Sequence, residues 1–259
     1  MKKVFRTLLL PVMTTFSLSV HAEFYSPLNN TPNPTSNWYI SADIGPLWVN
    51  TNQSMSVANG SNYPAPENVD DYKINAVKVQ PMIAFSAGRR WQRDALFAPA
   101  YSVGLRYQYF FQQTIKGNIL QYSLPEFNNY SFQWQMNANL LSLYSKVELL
   151  KKGLFIPYVD GGIGVSFLEA SNYQENAFSG ETARISPNFG SQTSSQFAFN
   201  VGAGVDIQLS PQALFSIGYD FQSFGPFISN YGQSTWTSTK LNLGTLTANT
   251  IIFSITYLI

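Results

Sequence analysis

The chain contains no cysteine and a single histidine, His21. Without thiols there is no disulfide framework, no thiolate metal site and no lipid anchor on cysteine. Charge is scarce: Asp, Glu, Lys and Arg are 11% of the residues, well under the quarter or so usual in a soluble domain. Long apolar runs are missing as well. Beyond residue 22 no segment offers the roughly 18 consecutive apolar residues of a membrane-crossing helix. What is plentiful is aromatic side chain, 15% of the total.

The opening MKKVFRTLLLPVMTTFSLSVHA has Lys2, Lys3 and Arg6 before an apolar run, and Val20-His21-Ala22 puts small residues where a signal peptidase cuts. Pro11 and the Ser and Thr residues leave that run too short and too broken to span a bilayer. This predicts an export signal over 1–22. Its removal takes three of fifteen Lys and Arg and none of fourteen acids, leaving 12 − 14 = −2, so no basic surface points to nucleic acid. His21 leaves with it. Residues 23–37, rich in Pro and Asn, read as a flexible linker, and 38–259 as the folded domain.

Within that domain the pattern has period two, the signature of strands whose successive side chains face opposite sides. In LFIPYVDGGIGVSFLEA, Phe155, Val159, Ile163, Val165 and Phe167 alternate with Tyr158, Asp160, Gly162, Gly164 and Ser166. Small and polar residues on one face suit the interior of a narrow barrel whose outside is lipid. In WYISADIGPLWVN, Trp38 and Trp48 end one apolar row; at about 3.3 Å per residue and a tilt near 40°, they stand roughly 25 Å apart, the height of a lipid-facing band. Tyr101 to Phe111 and Trp134 to Tyr144 repeat the span. Trp38, Trp48, Tyr101, Phe111, Trp134, Tyr144, Phe155 and Phe167 are therefore read as aromatic girdles at the two membrane interfaces. Four further alternating segments begin at Val79, Gln196, Ala213 and Asn249.

Eight such segments are joined by short turns near 93–96, 150–153 and 210–212 and by long connections over 51–77, 115–129, 170–194 and 225–246. The pattern predicts an all-β fold: an eight-stranded antiparallel up-and-down transmembrane β-barrel with four long extracellular loops and short periplasmic turns. The segments PYVDGGIGVSF and FNVGAGVDIQL with its following SIGYDFQ make the chain similar to the small outer-membrane barrels related to the OmpA transmembrane domain and the opacity proteins of Gram-negative bacteria. GNILQYSLPEFNNY and ARISPNF resemble loop segments of related barrels from intracellular species. The resemblance implies an outer-membrane location, contact with membrane lipid and lipopolysaccharide, and recognition by the barrel-assembly machinery through the C-terminal strand. That family usually ends in Phe or Trp, whereas this chain ends in Ile259.

Without a histidine after residue 22, Ser–His and His–metal chemistry have no base or ligand. Glu67, Asp70 and Asp71, and Glu169, Glu175 and Glu181, lack calcium-loop spacing and read as solvated loop charges. The expectation is no catalytic residue, no metal and no cofactor. Two functions remain: a structural or surface-interaction barrel with a side-chain-filled lumen, whose Asn-, Ser- and Tyr-rich loops serve envelope integrity or contact a host ligand, or a narrow channel for small solutes, for which inward glycines would leave room.

One constellation stands out. Trp38, Tyr101, Phe155 and Phe215 begin four strands, and five residues after each comes an ionisable residue: Asp43, Arg106, Asp160 and Asp220. An odd offset turns each charge inward, at similar depth. They are expected to form a lumenal charge layer in which Arg106 is held by two or more aspartates, with Arg90 and Asp206 pairing nearer the periplasmic mouth and Asn139 and Asn200 as further partners.

Overall fold

The computed structural model describes residues 35–77, 79–151, 153–183, 189–232 and 239–259. The export signal and most of the 23–37 linker lie outside these residues. Alternation drives almost everything that is described into strands: β1 (Thr35–Asn50), β2 (Ser54–Ala58), β3 (Val69–Val77), β4 (Gln80–Gln92), β5 (Ala100–Leu120), β6 (Asn128–Glu148), β7 (Phe155–Ala177), β8 (Gln192–Ser210), β9 (Ala213–Tyr231) and β10 (Lys240–Leu258). The first strand thus starts at Thr35, three residues before the expected boundary. No described helix is long and apolar enough to cross a membrane, so crossing falls to strands.

Eight strands close a ring, each antiparallel to its neighbours, in the order β1, β4, β5, β6, β7, β8, β9, β10 and back to β1. Closure satisfies the backbone of every strand and leaves no open edge inside a bilayer. Around the whole ring large apolar side chains point outward and stay exposed, among them Ile44, Phe85, Leu105, Leu143, Ile163, Val201, Ile217 and Phe253. Water would not tolerate so continuous a patch; acyl chains match it.

The wall does not stop at the membrane. The expected long loops are mostly strand, since β5 runs to Leu120, β7 to Ala177 and β9 to Tyr231. Above β1 and β4 their place is taken by the β2–β3 hairpin. β4 pairs with the lower part of β5 up to Met82↔Phe110, and β3 pairs with its upper part from Val77↔Ile115 to Asp71↔Leu120. Between the two registers β5 makes a bulge at Phe111–Gln112, and its inward row passes from Arg106, Gln108 and Phe110 to Gln113, Ile115 and Ile119. A bulge inserts one extra residue, so the faces exchange.

This upper wall encloses its own apolar core of Val57, Tyr72, Ile119, Phe132, Trp134, Phe189, Phe227 and Leu241. Trp134 packs on Phe227 with ring centroids 4.7 Å apart, and Tyr72 meets Phe132 at 5.5 Å. Of the acidic residues expected to be solvated, Glu169 and Glu181 are exposed, but Asp70 and Glu175 are held by the wall. Asp70 is buried, taking hydrogen bonds from Asn59 Nδ2 at 3.1 Å and the Tyr122 amide at 3.0 Å, and Glu175 accepts from the hydroxyls of Tyr72 and Tyr173.

Candidate functional site

The membrane-level lumen is the site where charge concentrates. Arg106 on β5 points inward and is 2% exposed. Its Nη2 lies 2.8 Å from Asp43 Oδ2 on β1, and its Nη1 lies 3.0 Å from Asp220 Oδ2 on β9, across the lumen. With the Gln108 carboxamide turned so that its oxygen faces the guanidinium, that oxygen accepts from Arg106 Nε at 3.2 Å while its nitrogen donates to Gln222 at 2.8 Å. Asp160 joins through Tyr144, whose hydroxyl donates to Asp160 Oδ2 at 2.8 Å and whose ring lies 5.0 Å from the guanidinium. The structure therefore brings together all four residues of the shared five-residue offset, three directly and one through a tyrosine.

A second layer lies toward the short turns. Lys146 Nζ donates to Asp206 Oδ1 at 2.6 Å and sits 3.8 Å above the Tyr158 ring, and Ser216 donates to the same oxygen at 2.6 Å. Arg90 grips Glu148 Oε1 with Nε at 3.1 Å and Nη2 at 2.6 Å. The expected pairing of Arg90 with Asp206 is thus replaced by two pairs, because β6 supplies a lysine and a glutamate to the lumen. Burying an ion pair is tolerable only when its partners are held further: Gln108 supports Arg106 and Ser216 supports Asp206, while Arg90 Nη1 and Asp206 Oδ2 find no hydrogen-bond partner among the described residues.

The same strand corrects the girdle assignment. Trp134 is 0% exposed and Tyr144 8%, and both face inward. The lipid side of β6 is Leu141 and Leu143, with Asn139 outward and accepting from the Tyr107 hydroxyl at 2.9 Å. The reason is length: β6 has 21 residues, so its apolar row continues upward into the extracellular core, while its polar amides face water outside the wall. The signal that would have settled the register was present, since Lys146 and Glu148 share the row of Tyr144 and a lipid face excludes them. Trp38 and Phe155 stand outward near the short-turn end, Trp48, Phe111 and Phe167 outward at the other end, and Tyr101 lies half-buried against Trp91. Asn200 points inward, but neither atom of its amide has a hydrogen-bond partner among the described residues.

The inward glycines do not leave the expected room. A Cβ on Gly202 would collide with carboxylate oxygens of both Asp160 and Asp220, and one on Gly204 would come within 2.6 Å of the Tyr158 hydroxyl. These positions are glycine because larger lumenal side chains lie over them. A cavity of about 30 Å³ remains among Asp43, Arg106, Tyr144, Lys146 and Asp160, enough for about two waters. A wider one of about 200 Å³ opens at the short-turn mouth. Among the described residues no group of three or more His, Cys, Asp or Glu could hold a metal ion.

No protein-family model and no curated protein matches the chain. Its fold is similar to several solved structures. Neisserial surface protein A is 10% identical, with 87% of this chain and 99% of that one covered and a TM-score of 0.39. OprG of Pseudomonas aeruginosa is 13% identical over 89% and 99%, TM-score 0.41. The outer membrane protease OmpT of Escherichia coli is 12% identical over 86% and 97%, TM-score 0.42. By its own geometry, a closed ring of eight antiparallel strands with an apolar belt outside and charges inside, the chain is an outer-membrane-type β-barrel.

Proposed function

We propose that this barrel is a closed, non-enzymatic outer-membrane scaffold that carries a tall extracellular wall for contact with lipopolysaccharide or a host ligand. One observation carries the reading: the lumen is filled at two levels, by the Arg106–Asp43–Asp220 layer with its Tyr144–Asp160 extension and, above it, by aromatic packing around Trp134 and Phe227. A solute would have to displace both. Eight strands leave an interior just wide enough for side chains, and here side chains occupy it. The polar tips between the strands offer the serine, asparagine and tyrosine mixture suited to recognition. Assembly would use the outward row Ile251, Phe253, Ile255, Tyr257 and Ile259 of the last strand, which is exposed on the finished barrel. The test is reconstitution into planar bilayers. The expected result is a silent membrane over the voltage range; a stable open state in the parent protein would replace this reading with the small-solute channel.

A further inference from the structure

The outer surface at the short-turn end is uneven. On β4 the outward row ends with Arg89 and Trp91, and Arg93 follows in the turn, where it also lines the cavity at the short-turn mouth. Trp38 on β1 stands opposite Arg89 in register, and Tyr101 on β5 stands opposite Trp91. The Arg89 guanidinium lies 4.9 Å from the Trp38 ring, and its Nη2 donates to Ser36 Oγ at 2.7 Å. Trp91 and Tyr101 stack at 5.1 Å, and the Arg93 guanidinium lies 5.9 Å from the Tyr101 ring. Each cation is thus laid on an aromatic plane, one leaning toward β1 and the other toward β5.

Neither arginine has a carboxylate in salt-bridge range among the described residues; the nearest acid in sequence, Asp94, is exposed in the turn. Elsewhere around the ring the outward strand residues nearest this end, Val147, Phe155, Leu209, Phe215 and Tyr257, are uncharged, and the neighbouring turn adds one exposed cation, Lys151. Two uncompensated guanidinium groups, fixed on aromatic rings and continuous with the lipid-facing belt, sit where headgroups of the inner leaflet pass. We propose that the Arg89–Trp91–Arg93 face, with Trp38 and Tyr101, is a docking site for an anionic phospholipid headgroup. Arginine suits the task because donors not used by Ser36 remain in a planar fork that matches phosphate oxygens, while the ring beneath restricts the side chain.

The experiment places the full protein in nanodiscs of phosphatidylcholine with a minor fraction of phosphatidylglycerol, extracts it gently, and counts co-purifying lipids by mass spectrometry. The parent is expected to retain phosphatidylglycerol above its share of the membrane. Arg89→Gln with Arg93→Gln should lower that enrichment by roughly fivefold per arginine, the attraction of one basic residue to an anionic lipid surface. Lys73→Gln, an exposed change on the far wall, should leave it unaltered. Retention in proportion to the bulk lipid, or enrichment that survives in the variants, overturns the proposal. If the double variant does not fold, as judged by heat-modifiable gel mobility, Arg93→Gln alone carries the test, since that side chain is exposed.

Discussion

The two halves of this barrel are built inside out with respect to each other. At membrane level the outside is apolar and the inside carries Arg106, Asp43, Asp220, Lys146 and Asp206. Above it the inside is Trp134, Phe132, Phe227 and Leu241, and the outside of β6 is a row of amides such as Gln133, which donates to Gln174 at 2.6 Å. One strand, β6, serves both halves without a break in its alternation. Alternation therefore defines two faces, and the surrounding solvent decides which face is the core. Where lipid surrounds the wall, polar side chains retreat to the lumen; where water surrounds it, apolar ones do.

The sharpest way to break this contrast is to remove the cation at its centre. Arg106→Ala leaves Asp43 and Asp220 buried without their partner, and should cost about 3–5 kcal/mol in urea unfolding from detergent or vesicles. Bilayers holding this single variant should stay silent, because the Trp134–Phe227 packing above is intact, and should conduct only when Arg106→Ala is combined with Trp134→Ala. Trp134→Ala attacks the other half: the loss of a buried aromatic should cost about 3–5 kcal/mol, yet leave the membrane silent because the charge layer below is intact. A conducting Trp134→Ala protein would show that the upper core, rather than the ion pairs, closes the lumen.

Smaller effects sharpen the boundary. Leu143→Arg puts a cation against acyl chains and should destabilise by about 2–4 kcal/mol, as should Leu105→Arg on the neighbouring strand. Gln133→Arg, on the same outward row of β6 but above the lipid, should change unfolding by no more than about 0.5 kcal/mol. Equal costs at 133 and 143 would mean that lipid reaches higher up the wall than the belt of exposed apolar residues indicates. Least of all, Asn139→Ala removes one exposed hydrogen bond from Tyr107 and should fall within about 0.5 kcal/mol in the same assay.

Much of this was legible in the residues. The ring of eight, the short-turn end and the outward rows of β1, β4, β5, β7, β8, β9 and β10 follow from alternation between turn signals, and the offset from a strand's first aromatic to its charge marked Arg106 and its three aspartates. What failed was the register of β6, because a ten-residue span from Trp134 to Tyr144 imitates the height of a lipid band. A period of two cannot distinguish a lipid face from the core of a water-surrounded wall. The β2–β3 hairpin was hidden for a related reason: Met55 and Val57 alternate with serines over only five residues, too few to separate a strand from a loop. Lys146 and Glu148 were missed as a consequence of the β6 register, and with them the partners that Asp206 and Arg90 take.

The length of β7 has a consequence for reach. Its 23 residues, at about 3.3 Å each and a tilt near 40°, climb roughly 55–60 Å, of which the hydrocarbon occupies only about 25 Å. Something like half of the strand is therefore a mast standing clear of the lipid, stiffened by its own aromatic filling. A molecule approaching the cell would meet the top of this mast well before it met the bilayer, at a stand-off no shorter than the wall is tall.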